Sequence, residues 1–108
     1  MSSYLMIQSR DPYAHATVAE HADLAVRLKQ AGHGVAVYLV QNGVLPARAD
    51  AQNGVLARLL DSHVDVIADG FSLQERGIDA ARLQPGVRQA SIGLVVDRML
   101  CGWTVVWH

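Results

Sequence analysis

Short apolar runs separated by helix-sized stretches constrain this chain more than any other feature. Four such runs stand at residues 4–7, 34–40, 64–68 and 103–107, and the segment 87–90 adds a shorter, more polar one. Each has the length of a strand, and the middle runs are rich in β-branched residues. The run Gly34-Val35-Ala36-Val37-Tyr38-Leu39-Val40 is so uniformly apolar that it reads as a strand covered on both faces. Strands joined by helical crossovers must run parallel, so the pattern predicts a three-layer α/β/α sandwich with a mostly parallel five-stranded sheet.

The intervening stretches carry their own start and stop signals. Asp11-Pro12 places an N-cap residue before a proline, and Ala14, Val18, Ala22, Ala25 and Leu28 follow at helical spacing until Ala31-Gly32. Gln41-Asn42-Gly43 reads as a turn leading into a loop over 43–50 that contains Pro46. Asp50 is a candidate cap for a helix with Val55, Leu56, Leu59 and Leu60 on one face. The third run breaks at Asp69-Gly70 and enters a short helix that Gly77 can stop; within it, Ser72-Leu73-Gln74-Glu75 has the capping-box pattern. One further helical turn is expected over 79–83, before Pro85-Gly86. Ser91 opens a last helix with Ile92, Val95, Val96, Met99 and Leu100 on its apolar face, and Gly102 closes it. Trp103 and Trp107 then share one face of the final strand, because strand side chains alternate.

At 108 residues, one domain with a single core is expected. Hydrophobic residues make up 51% and charged residues 18%, an apolar balance that points to surface hidden in a homo-oligomer. A formal charge of -1 gives no electrostatic case for nucleic acid or an anionic membrane. No apolar run approaches the ~20 residues of a membrane span, and the amino-terminal stretch lacks the pattern of a signal peptide. The single cysteine, Cys101, forms no internal disulfide framework and no multi-thiolate zinc site. A cytoplasmic setting is the expectation.

In a parallel sheet the turns that follow strand ends share one edge, where ligands collect beside helix amino ends. That edge is expected to hold Ser9, Arg10, Asn42, Gly43, Asp69 and Gly70, a set suited to a small ligand that is polar and near neutral overall, or to a partner's basic segment. The alternative reading makes Asp11 and Asp69 helix caps and Asn42-Gly43 ordinary turn chemistry. Asp69 as a general base would need burial and a partner group. Ser72 fits a capping role better than a nucleophile, since no Gly-x-Ser-x-Gly elbow surrounds it. Neither a dinucleotide fingerprint nor a Walker motif occurs, and no cofactor is expected. His15 and His21 are six apart, so with His33, His63 and His108 they form no metal signature and read as solvated or helix-end residues. Cys101 falls in the last helical turn, opposite the apolar stripe and near Asp97, a poor place for an activated thiolate.

The order of elements resembles the DsrE/DsrF-like family of small α/β proteins associated with sulfur transfer. The likeness rests on a short first strand followed by an Ala-rich helix and on a second strand ending in Asn42-Gly43-Val44. It rests also on a third strand running into a helix that closes at Glu75-Arg76-Gly77-Ile78. The resemblance implies a flavodoxin-like sandwich, assembly into trimers or hexamers, and a role in intracellular sulfur metabolism alongside a sulfur-relay protein partner. In sulfur-carrying members a cysteine stands near the end of the third strand. Here that position falls at about Asp69, and a carboxylate cannot carry a persulfide. The expected role is therefore a homo-oligomeric binding or assembly subunit lacking the carrier thiol. The alternative is a sulfurtransferase using the strand-end crevice.

Overall fold

The computed structural model of the chain describes residues 2–51 and 54–108. Five strands form one sheet in the order β4-β3-β2-β1-β5: β1 (Ser3–Gln8), β2 (Gly34–Leu39), β3 (Asp65–Asp69), β4 (Val87–Ala90) and β5 (Thr104–Trp107). Every neighbouring pair is parallel, with Leu5 opposite Ala36 and Val105, and Ile67 opposite Tyr38. The helices are α1 (Thr17–Gln30), α2 (Gly54–Asp61), α3 (Gly70–Glu75) and α4 (Gly93–Leu100). The chain is thus the expected parallel α/β sandwich of flavodoxin-like architecture.

Strands β1 to β4 step across the sheet in one direction, and the β4-to-β5 connection returns across it. Right-handed crossovers therefore put α1 and α2 on one face and α4 on the other. Alternation along the strands divides the core to match. Met6, Val37, Leu39, Val66 and Ala68 face Ala22, Ala25 and Val26 of α1 and Leu56 and Leu59 of α2. Leu5, Ile7, Ala36, Tyr38 and Ile67 form the opposite layer with Val95 of α4. The alanines of α1 let its axis lie close to the strands.

Several local expectations are corrected. Asp11 does not start α1; its carboxylate accepts from the backbone N–H of Tyr13 (2.6 Å) and Ala14 (3.2 Å), closing a separate turn. The helix begins at Thr17, so Ala14 stays exposed while Val18, Ala22, Ala25 and Val26 are buried. Residues 41–47 are not an open loop but a 3-10 segment (Gln41–Ala47) with Val44, Pro46 and Ala47 buried. The start of α2, which Asp50 was expected to cap, abuts residues 52 and 53, outside the described residues. The helical turn expected over 79–83 is present as a second 3-10 turn (Ala80–Arg82), capped by Asp79, which accepts from Ala81 N–H at 3.0 Å.

The largest correction concerns α4. Its expected apolar face does not meet the sheet: only Val95 is buried, with Leu94 partly so, while Ile92, Val96, Met99 and Leu100 are between 52% and 81% exposed. The helix is rotated so that Val95 and Leu94 point inward, with Arg98 stacked 4.4 Å over the Trp103 ring beside them. Trp103 and Val105 pack on this side of β5 and Val106 on the other, whereas Trp107 is exposed.

Candidate functional site

The carboxyl end of β3 holds the most organised polar group in the protein. Asp69 is the N-cap of α3, and its Oδ2 accepts from the Ser72 backbone N–H (3.0 Å) and from Ser72 Oγ (2.7 Å). Its Oδ1 accepts from the Tyr38 hydroxyl at 2.6 Å. Ser72 Oγ in turn accepts from the Gln41 backbone N–H at 2.8 Å, so the hydroxyl joins the end of β2 to the start of α3. Tyr38 is fully buried, and Asp69 (7%) and Ser72 (4%) nearly so. A buried polar network of this kind is favourable because each member has its partners.

The cap is therefore Asp69 with Ser72 three residues on, and the box expected between Ser72 and Glu75 does not form. Burial, with the Asp69 hydrogen bond and charge adding to it, pushes the Tyr38 hydroxyl well above its usual pKa of 10.0. Tyr38 is thus a fixed donor rather than a proton shuttle. Both carboxylate oxygens of Asp69 are occupied, which suits a structural anchor better than a general base. Gln41 adopts φ 52°, a left-handed conformation that costs energy for a non-glycine residue and aims its N–H at Ser72.

The other residues expected at this edge are present but do not converge on Asp69. Ser9 donates its N–H and Oγ to the His108 carbonyl, at 3.0 and 3.1 Å, tying the end of β1 to that of β5. Arg10 is exposed, and its backbone N–H donates to Gln8 Oε1 at 3.4 Å. Gly43 is buried against β1, where a Cβ would collide with the Gln8 carbonyl; the close approach that glycine permits is to the neighbouring backbone. Asn42 Oδ1 accepts from Arg76 Nε at 3.1 Å. Asp69 and Gly70 open onto a shallow depression with Gln41, Gln89 and the exposed rings of Phe71 and Trp107. Arg10 and Gly43 instead border a small apolar cavity of about 30 Å³ beneath α1 and α2. The edge is shared, but it holds two sites.

His21 also borders that cavity and stacks on His108, with ring centroids 3.2 Å apart. Burial first, then His108, holds the His21 pKa below its usual 6.5; burial and the Arg10 charge do the same for His108. The sequence reads these two as solvated or helix-end residues; both are half-buried, and His15 precedes α1 rather than sharing it with His21. Among the described residues, no group of three or more His, Cys, Asp or Glu side chains could hold a metal ion. Among them, too, no helix is long and apolar enough to cross a membrane. Cys101 is exposed at the carboxyl end of α4.

Sequence reasoning missed Tyr38. The signal was a single hydroxyl inside a strand read as covered on both faces, since a buried tyrosine needs a partner. The neighbouring strand's Asp69 is that partner.

No protein-family model matches the chain, and no curated protein matches it. Solved structures do share its fold. The YchN protein of E. coli superposes with a TM-score of 0.88 over 100% of both chains at 17% identity. MTH1491 from Methanobacterium thermoautotrophicum, a protein of unknown function, gives 0.76 at 22% identity, covering 99% of this chain and 98% of that one. BT1422 from Bacteroides thetaiotaomicron, a conserved protein of unknown function, gives 0.75 at 15% identity over 99% and 95%. At these identities the likeness establishes the architecture of the whole chain and nothing about its chemistry.

Proposed function

We propose that this chain is a DsrE-like, homo-oligomeric assembly or binding subunit of intracellular sulfur metabolism that lacks the sulfur-carrier thiol. The observation that carries the reading is the open apolar surface of α4. Ile92, Val96, Met99 and Leu100, with Phe71 and Trp107 nearby, form a large apolar area on a small domain, and such areas mark association surfaces. The family resemblance supplies the expected order, a trimer or hexamer, and a sulfur-relay protein as the outside partner in the cytoplasm. The state of Asp69 supports the missing-carrier half: where the resemblance puts a thiol, this chain has a buried carboxylate with both oxygens hydrogen-bonded. Cys101 belongs to a different element, at the opposite edge of the sheet from the strand ends.

Light scattering on the purified chain tests the assembly. The expected mass is three or six times the 11.7 kDa protomer at micromolar concentration. A mass of one protomer would overturn the reading. Cyanolysable sulfur after incubation with a persulfide donor tests the other half, with the expected value no higher than in Cys101→Ser. Stoichiometric persulfide on Cys101 would make the chain a carrier after all.

A further inference from the structure

We propose that Arg48, Arg76 and Arg82 form a binding site for a tetrahedral oxyanion, either a free dianion or the phosphoryl group of a small molecule. The three arginines lie on three different elements: Arg48 at the end of the first 3-10 segment, and, 28 and 34 residues further on, Arg76 at the end of α3 and Arg82 in the second 3-10 turn. They line one open groove of about 370 Å³, which Gly77 and Ile78 also border. This groove is separate from the depression at Asp69 and from the cavity at Arg10.

The groove is a built feature. Arg48 Nε donates to the Leu45 carbonyl (2.9 Å), which fixes its guanidinium and leaves its terminal nitrogens available. Arg76 is held from two sides, by Nε to Asn42 Oδ1 (3.1 Å) and Nη1 to the Ser72 carbonyl (3.3 Å). The segments carrying Arg48 and Arg82 are joined backbone to backbone. Ala49 N–H donates to the Arg82 carbonyl at 2.6 Å, Gln84 N–H donates to the Ala47 carbonyl at 2.9 Å, and Arg48 bridges Leu83 antiparallel. Both sides of the groove are thereby tied to the core, and Arg82 is exposed at its rim.

Charge balance gives the class of ligand. Among the described residues, ion pairs join Arg58 to Asp23 and both Arg88 and Arg98 to Asp65; none involves the groove arginines. Asp50 and Asp79 also border the groove, yet neither lies within ion-pair distance of the three, and the Asp79 carboxylate caps Ala81 N–H. Three guanidinium groups against two carboxylates leave a net positive groove with several N–H donors in planar forks. That arrangement matches the oxygens of a phosphate-like group better than a single carboxylate. The two flanking aspartates disfavour a long polyanion and admit a compact one.

Calorimetric titration of the full chain at low ionic strength tests the site, with inorganic phosphate and glycerol phosphate as probes and chloride as the control. Both probes are expected to bind one per protomer. Arg82→Ala, which removes no hydrogen bond described above, should weaken binding about tenfold or more, Arg82→Lys should retain part of it, and Arg27→Ala on α1 should leave it unchanged. Tighter binding of glycerol phosphate assigns the site to a phosphorylated small molecule, and equal or weaker binding assigns it to the free anion. Absence of binding by either probe, or affinity unchanged in Arg82→Ala, would overturn the proposal.

Discussion

On the face covered by α1 and α2, Val18, Ala22, Ala25, Val26, Leu56 and Leu59 are all buried against the strands. On the opposite face a single eight-residue helix, α4, spans the return from β4 to β5, and most of its apolar side chains point away from the sheet. Both faces use apolar residues at helical spacing, so composition and period do not distinguish them. Topology does. Three crossovers in one direction supply α1, α2 and the short α3, with its buried Leu73, to the first face, and the single return crossover supplies one helix to the second. The first face closes within the protomer, while the second leaves Ile92, Val96, Met99 and Leu100 exposed.

The comparison is broken or sharpened most strongly by truncating the closed face. Leu59→Ala should cost about 2–5 kcal/mol of stability, because a cavity opens where α2 meets the strands and α1 cannot collapse to fill it. The matching change on the open face, Val96→Ala, should leave protomer stability within about 0.5 kcal/mol. Urea unfolding in a Leu100→Asp background, where the proposed assembly is dissociated, checks both, since assembly couples to apparent stability. Equal costs would mean that the two faces are packed alike.

A smaller effect belongs to the polar anchor between the layers. Tyr38→Phe removes the donor to Asp69 Oδ1 and leaves a buried carboxylate oxygen unpaired, which should cost about 1–3 kcal/mol. The wild type should also lose stability above pH ~10, where the unfolded tyrosine ionises and the folded one, with its raised pKa, still holds its proton. Denaturant midpoints measured from pH 8 to 11 should fall less steeply in the variant. An identical slope would separate Tyr38 from the alkaline loss.

The fold was legible in the sequence because burial on both faces leaves an unmistakable trace: Val35 to Leu39 of β2 and Val66-Ile67-Ala68 of β3 are unbroken apolar runs, and Gly32 and Gly77 stop their helices at positive φ as expected. Helix starts were less legible. Asp11 satisfies the Tyr13 and Ala14 N–H groups in a turn that is not continued, and a cap with this local chemistry looks the same whether or not a helix follows. The strand-end edge was legible as an edge, but its side chains were not. Gly43 sits against the Gln8 backbone and Asn42 turns to Arg76, contacts set by packing between distant segments. The rotation of α4 was invisible for a related reason: an apolar stripe does not report which of its residues the sheet covers, and here the sheet takes only Val95 and part of Leu94.

The smallest expected effect lies at the His21–His108 stack. Both histidines have pKa values held below 6.5, so below that pH the unfolded chain takes up protons that the folded one resists. Stability should therefore decline gently as pH falls through 6.5 toward the lowered folded values. His21→Gln should flatten that decline, and thermal midpoints between pH 5 and 7.5 are the readout. A decline unchanged in the variant would place its origin elsewhere.

The central claim, that α4 is covered by other copies of the chain, is tested most directly by sedimentation equilibrium of the wild type beside Leu100→Asp. Leu100 is 81% exposed in the protomer, so a carboxylate there leaves the fold intact and disrupts only an apolar contact made from outside. The account predicts an oligomeric wild type and a variant that sediments at or near 11.7 kDa with unchanged far-ultraviolet circular dichroism. A wild type that is monomeric, or a variant that keeps the wild-type mass, would contradict it.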